Sequence, residues 1–277
     1  MTDSATNAAL KPFDPGREIG LRLDLAVEMA REAGAQALAA FRRGSVQVER
    51  KADGSEVTAA DREGERLMRA AIARMFPQDA ILGEEGEDVQ GASGFRWLLD
   101  PIDGTRSFVR GVPLWGTLVA CEYNSRSVVG VIVIPALNEM VYGAKGGGAW
   151  RVVGTGPPTP ARVSRIESLR ESVVCTTSFD YFRKSGQERA FIELSKASRS
   201  IRGWSDCYAQ VLCATGRIEA VVEPMINPWD VGAIISIIEE AGGRYTTWEG
   251  EVTAYHPHGA ASNGLVHDDL LRVLQAK

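Results

Sequence analysis

The sequence predicts a mixed α+β/α/β protein, and three patterns carry that expectation. Two amphipathic stretches at helical spacing fill the N-terminal quarter, successive strand-like runs fill the middle, and strands alternate with helices from about residue 160 onward. With 277 residues the chain makes one large domain or two intimate ones. Residues 154–160, rich in Gly and Pro, mark the boundary. The expected organisation is a loose arm 1–17, an N-terminal α+β unit 18–155 and a C-terminal α/β unit 156–277.

Residues 18–41 set Leu21, Leu25, Val27, Ala30, Ala37, Leu38 and Phe41 on one helical face. Residues 46–49 alternate like a strand, and 51–57 form a loop carrying Lys51. Thr58 is placed to cap a helix over 59–75, with Asp61 in its first turn. Read locally, Asp61 is a surface acid favoured by the helix dipole. Residues 80–82 are a short apolar strand leading to Glu84, and 86–94 a polar loop. The apolar run 97–99 ends in Asp100 and Asp103. Pro101 lacks a donor and fixes its φ, so the strand is expected to stop there. Gly104 permits a reversal, and Thr105 is expected to cap the next helix.

Runs 114–122, 128–134 and 139–143 read as antiparallel strands, separated by turns at Asn124-Ser125 and 135–138. Gly146-Gly147-Gly148 lacks the Lys-Ser/Thr of a nucleotide loop and reads as a turn. Strand 173–176, helix 188–195, strand 200–201, helix 208–215 and strand 219–223 follow. Helix 231–241 closes on Gly242-Gly243, and a hairpin (243–247 with 251–253) and helix 268–274 complete the pattern.

The net charge of −5, with no basic block, argues against a nucleic-acid partner. No apolar run approaches the roughly 20 residues that span a bilayer, and the polar N-terminus has no signal-peptide core. A soluble, cytoplasmic protein with no membrane partner is expected. Cys121, Cys175, Cys207 and Cys213 lack metal or disulfide spacing and read as buried thiols in a reducing compartment. His256, His258 and His267 read as loop or surface residues without a role.

The chemistry lies in acids at element ends. Asp103-Gly104 alone is a common turn. Yet Gly83-Glu84-Glu85 lies just upstream, and Asn227-Pro228-Trp229-Asp230 opens an apolar helix far downstream. Glu84, Asp100, Asp103 and Asp230, with no His or Cys beside them, form a hard oxygen set suited to Mg2+ rather than zinc. Without a cation, four converging carboxylates would repel one another. A calcium loop starting at Asp100 fails, because its twelfth position is Gly111 where a bidentate Glu is needed.

The segments Gly83-Glu84-Glu85, Asp100-Pro101-Ile102-Asp103-Gly104-Thr105 and Trp229-Asp230 resemble the inositol monophosphatase superfamily of Mg2+-dependent phosphomonoesterases, over nearly the whole chain from Leu23. The resemblance implies a layered α-β-α-β-α sugar-phosphatase fold, two or three Mg2+ ions, a phosphate monoester substrate and a homodimer. Carried across, it gives Glu84, Asp100 and the Ile102 carbonyl to one ion, and Asp100, Asp103 and Asp230 to a second. A third, weaker ion rests on Glu84. Val57-Thr58-Ala59-Ala60-Asp61 matches the segment whose acid pairs with the Thr of the Asp-Gly-Thr turn. Asp61 and Thr105 would thus orient an attacking water, with no phosphoenzyme, while N–H groups of Gly104 and Thr105 bind phosphate. Lys51 adds nearby charge.

A haloacid-dehalogenase reading needs Asp-x-Asp-Gly-Thr, and here two residues separate the acids. Three segments and the tail resemble the histidinol-phosphate phosphatase branch more than the inositol branch. They are 103–108, 111–118, 203–208 and the tail 262–267. Histidinol phosphate carries an ammonium and an imidazole, so acids should face it. Glu223, seven residues before Asp230, and Asp206 are the candidates. Their structural alternatives are a strand-end surface acid and a helix N-cap. Expected activity is histidinol-phosphate hydrolysis in histidine biosynthesis. An inositol-1-phosphate or broad-range sugar phosphatase is the alternative within the class, and a catalytically silent binding protein the alternative outside it.

Overall fold

The computed structural model describes residues 15–44, 47–51, 54–204 and 206–276. Most of the arm 1–17, and parts of the segments at 46–49 and 51–57, lie outside them. Helix α1 (Pro15–Arg43) packs beside α2 (Ala59–Met75), and a small antiparallel pair, β1 (Val48–Arg50) and β2 (Glu56–Thr58), precedes α2. Both helices bury their apolar stripes on a seven-stranded sheet: Met29, Ala33, Met68 and Ile72 meet Trp97, Leu99, Val119 and Val131.

That sheet runs in the order β3 (Ala80–Gly83), β4 (Phe95–Asp103), β5 (Gly116–Tyr123), β6 (Arg126–Ile134), β7 (Glu139–Ala144), β8 (Gly148–Val153) and β9 (Thr159–Pro160). Only β3 and β4 pair in parallel. Both faces are covered, so its strands are apolar throughout, and alternate residues enter different cores. On β4, Trp97 and Leu99 face α1 and α2, whereas Leu98 joins the central core.

The central core also takes in α6 (Asp206–Ala214) and α7 (Pro228–Glu240), and beyond them the inner face of a second sheet. Its order is β11 (Ser200–Arg202), β10 (Val173–Cys175), β12 (Ala220–Glu223), β14 (Gly259–Ser262) and β13 (Arg244–Thr246). Its outer face packs with α4 (Phe179–Lys184), α5 (Glu188–Ala197) and α8 (His267–Leu274) through Phe182, Leu194 and Leu270. The layering is α-β-α-β-α. Among the described residues no helix is long and apolar enough to cross a membrane.

Several expectations need correction. The strand does not stop at Pro101. β4 runs on to Asp103, because a register break between Asp100 and Asp103 leaves the missing proline donor out of the ladder. Thr105 is no cap: Gly104, at φ 83°, takes that position and Thr105 begins the short helix α3 (Thr105–Val109). The hairpin partner of β13 is β14, and 251–253 is loop. The first sheet also reaches Pro160, past the boundary drawn at 155/156. The four cysteines are buried thiols. His267 is fully buried rather than at the surface.

Candidate active site

Three chain ends converge between the two sheets. Parallel pairing sets Gly83 opposite Leu99, and Glu84 N–H donates to the Leu99 carbonyl at 3.1 Å, so Glu84 and Asp100 leave adjacent strands side by side. Asp103 follows across the bulge. Asp230 comes from the first turn of α7, where its carboxylate accepts the Asn227 N–H at 2.7 Å in a capping box. Carboxylate oxygens of Asp100, Asp103 and Asp230 all lie within 4.8 Å of one another.

Burial and mutual repulsion drive these acids toward the neutral form. Asp100 is held well above the usual carboxylate range by burial, then by Glu84, Asp103 and Asp230. Burial, Asp206 and Asp230 do the same to Asp103, against the Cys207 N–H, which donates to it at 2.5 Å. Burial carries Asp230 to about 7. Hard oxygens packed this closely fit a divalent cation, which would return them to the ionised state. Lys51 reaches the edge of the set, 2.8 Å from Glu84 and 2.7 Å from Glu85. Burial also pushes the Glu85 carboxyl up to about 7.

The turn beyond Asp103 is built for close approach. Gly104 is left-handed, and a Cβ there would lie 3.0 Å from Asp206 Oδ2, so both φ and space demand glycine. The Thr105 hydroxyl donates to the Ile102 carbonyl at 3.0 Å and lies 3.4 Å from Asp61 Oδ1. Asp61 is fully buried, not the surface acid its local sequence suggests. Its other oxygen accepts the Thr58 N–H at 2.8 Å and the Thr58 hydroxyl at 2.5 Å, and burial lifts it to about 6.

Glu223 and Asp206 meet at Thr177. The Thr177 N–H and hydroxyl donate to Glu223 at 2.8 and 3.0 Å, and the hydroxyl accepts the Asp206 N–H at 3.3 Å. Glu223 is buried, not a surface acid, and burial followed by the Asp206 charge raises its carboxyl well above the usual range. Asp206, at φ 51°, is the first residue of α6.

Residues 22–277 match the model of the inositol monophosphatase family. The chain belongs to that family. It is 39% identical to histidinol-phosphatase of Chlorobaculum parvum over 87% of this chain and 91% of that one. It is 35% identical to fructose-1,6-bisphosphatase/inositol-1-monophosphatase of Thermotoga maritima over 91% and 95%. The solved Thermotoga maritima IMPase superposes with a TM-score of 0.79 at 34% identity, covering 91% of this chain and 96% of that one.

An inositol monophosphatase family protein is a phosphoric monoester hydrolase, and members are metal-dependent. In this member two residues near the site escape a reading of the sequence. Glu65, buried on α2, accepts the Glu85 N–H at 2.7 Å and the Gly86 N–H at 2.9 Å, clamping the loop that carries Glu84. An acid on an amphipathic helix reads as solvent-facing, and only the chain reversal after β3 reveals its use. Tyr181 on α4 has the Arg106 guanidinium 5.8 Å from its ring centre, and the charges of Asp206, Glu223 and Asp103 reach its hydroxyl.

Proposed function

We propose that this chain hydrolyses L-histidinol phosphate with Mg2+ held by Glu84, Asp100, the Ile102 carbonyl, Asp103 and Asp230, two or three ions per site. The observation that carries the substrate assignment is the acid pair of buried Glu223 and half-buried Asp206, joined at Thr177 beside the Gly104 turn. Inositol phosphate offers only hydroxyls, whereas histidinol phosphate brings an ammonium and an imidazole. A cationic group beside the raised Glu223 carboxyl restores its ionised form and offsets the Asp206 charge next to it, and the pair discriminates through that gain.

When bound, the cations supply neutralising charge at phosphoryl oxygens and acidify water. The chain's own groups do the rest. The Ile102 carbonyl accepts one hydrogen bond from Thr105 and keeps a second lone pair for a cation. Asp61, fixed through Thr58, receives the Thr105 hydroxyl when that rotates from Ile102. This turns the Thr105 lone pairs toward the attacking water and orients it for direct displacement. Gly104 and Thr105 N–H groups hold phosphate oxygens. Lys51 competes for Glu84 until substrate and cation arrive.

The likeness to the Chlorobaculum histidinol-phosphatase supports the same substrate. The Thermotoga relative favours a second reading, inositol-1-phosphate or a broader sugar-phosphate range. The proposal extends to a homodimer, as the resemblance implies, acting in the cytoplasm, as the unpaired cysteines suggest, in histidine biosynthesis.

A substrate panel in Mg2+ decides the substrate. The expected result is kcat/KM for histidinol phosphate at least tenfold above inositol-1-phosphate, with Glu223→Gln and Asp206→Asn narrowing that ratio. Equal rates, or a ratio both variants leave unchanged, remove the assignment. Light scattering on the purified chain tests the dimer.

A further inference from the structure

The loop between β13 and β14 carries Glu249, His256 and His258, and the fold gathers them although the sequence suggested no role. His258 Nε2 lies 3.5 Å from Glu249 Oε1 and His256 Nε2 lies 3.9 Å from Glu249 Oε2. One ligand atom from each of the three lies within 4.8 Å of the others. We propose that these three side chains form a second metal site, outside the carboxylate centre, that takes a borderline divalent cation such as Zn2+.

Chemistry and spacing agree. Two imidazoles with one carboxylate are the donor set that prefers Zn2+ over Mg2+, in contrast to the all-oxygen cluster at Asp100. A tetrahedral ion with bonds of about 2.1 Å sets its ligand atoms roughly 3.4 Å apart, so the 3.5 Å edge already fits, and the remaining edges, none longer than 4.8 Å, close as the exposed Glu249 carboxylate turns between the two rings.

The loop is ordered before any ion arrives. Thr247 Oγ1 accepts the Glu249 and Glu251 N–H groups at 3.2 and 3.3 Å. The Trp248 ring lies 4.6 Å from His258, whose side chain is only 11% exposed. Tyr255 donates to Glu122 at 2.6 Å, tying the loop to the first sheet. Burial lowers the His258 pKa, favouring the neutral imidazole a metal requires.

One interaction opposes binding. His258 Nδ1 accepts the Trp248 N–H at 3.4 Å, which leaves the proton on Nε2. Coordination through Nε2 moves that proton to Nδ1 and gives up this long bond. With an open fourth position and an exposed Glu249, the site therefore binds more weakly than a closed structural zinc centre. The ion would join the two ends of a loop whose Pro257 carbonyl accepts the Ile226 N–H at 2.9 Å, four residues before Asp230.

The test is Zn2+ titration by calorimetry in excess Mg2+, which keeps the carboxylate centre filled. Wild-type protein, His256→Ala and Glu249→Gln are compared, both altered side chains being solvent-reached enough to leave folding intact. Co2+ absorption then reports imidazole ligation. The expected result is one more Zn2+ equivalent in wild type than in either variant, a tetrahedral Co2+ band lost with His256, and unchanged turnover without Zn2+. Equal stoichiometry in all three proteins, or a Co2+ spectrum that His256→Ala does not alter, overturns the site.

Discussion

Gly130→Ala tests whether helix-to-sheet spacing places Asp230. Gly130 sits on β6 beneath α7, and a Cβ there would lie 2.1 Å from the Ala233 carbonyl oxygen and 2.9 Å from its Cα. These are backbone atoms, so no side chain can swing aside, and α7 must retreat by roughly 1 Å to regain ordinary contact. The helix also lies close to the sheet at its neighbouring glycines. A Cβ on Gly232 would meet Leu98 Cδ1 at 2.4 Å, and one on Gly143 would meet Ile237 Cα at 3.3 Å. Asp230 precedes Ala233 by less than one turn and travels with it.

Overpacking of this kind costs about 1–3 kcal/mol. A displacement of about 1 Å in a catalytic group costs roughly a hundredfold in rate. Denaturant unfolding and phosphate release, both measured well below the melting temperature, should show the two losses together, with a higher Mg2+ requirement. Gly20→Ala is the control. It lies inside α1 with nothing within 4 Å of the added methyl, and should gain up to about 1 kcal/mol with turnover intact. Wild-type stability and turnover in Gly130→Ala would refute the spacing argument. A destabilised variant with full activity would separate Asp230 placement from α7 packing.

Three further outcomes follow from the same geometry. Chelation should abolish turnover and lower the melting temperature, whereas Mg2+ at a hundred times its dissociation constant should add about 2.7 kcal/mol; Asp100→Asn should lose that response while melting higher than wild type in chelator. Asp79→Ala should destabilise by about 3 kcal/mol in denaturant titration, because Arg22, bonded to Asp79 at 2.8 and 2.9 Å and packed on Phe76 and Phe95, loses its buried partner and keeps only the partly exposed Glu18 at 2.9 Å, while the Trp97 indole N–H loses its acceptor. His267 should make the fold acid-sensitive: burial holds it at about 4 against 6.5, so the unfolded chain takes up the proton first. Stability is then lost between pH 6.5 and 4, by about 3 kcal/mol in all, and His267→Gln should flatten that part of the profile.

The legible parts of this chain were those in which local chemistry and tertiary role agree. Thr58 caps α2 where its sequence places it, and the apolar run on β6 had only a doubly covered strand to become. β14 was missed because Gly259-Ala260-Ala261-Ser262 has no β-branched residue, and its strand exists through pairing with β12 on one side and β13 on the other. β8 was masked by the glycine turn before it. The segment 251–253 alternates like a strand, but the edge it would have paired with is taken by β14. His267 looked exposed beside Asp268 and Asp269. Its ring is instead closed in by Thr246 and Ser262, each at 2.8 Å. Thr246 spends its proton on the Thr247 carbonyl, so it accepts from His267 Nε2–H, and Nδ1 accepts from Ser262. A neutral ring is satisfied on both nitrogens, and sequence spacing carries no trace of such a network.

The acids at the centre show the opposite relation, in which the sequence betrays the site because the fold is made worse by it. Asp100, Asp103, Asp230 and Glu223 all lie where burial and like charge raise their carboxyls, and Asp61 shares the penalty. A stability optimum would place apolar or neutral residues there. Each acid is instead held by contacts that fix its direction: Asp230 by its capping box, Asp61 by Thr58, Asp103 by the Cys207 N–H and Glu223 by Thr177. The supports come from α2, α6, α7 and the end of β10, so both sheets contribute to one cluster. On the proposed function, a cation would relieve a repulsion whose directions the scaffold has already set, leaving only the Thr105 hydroxyl and the Lys51 ammonium to move.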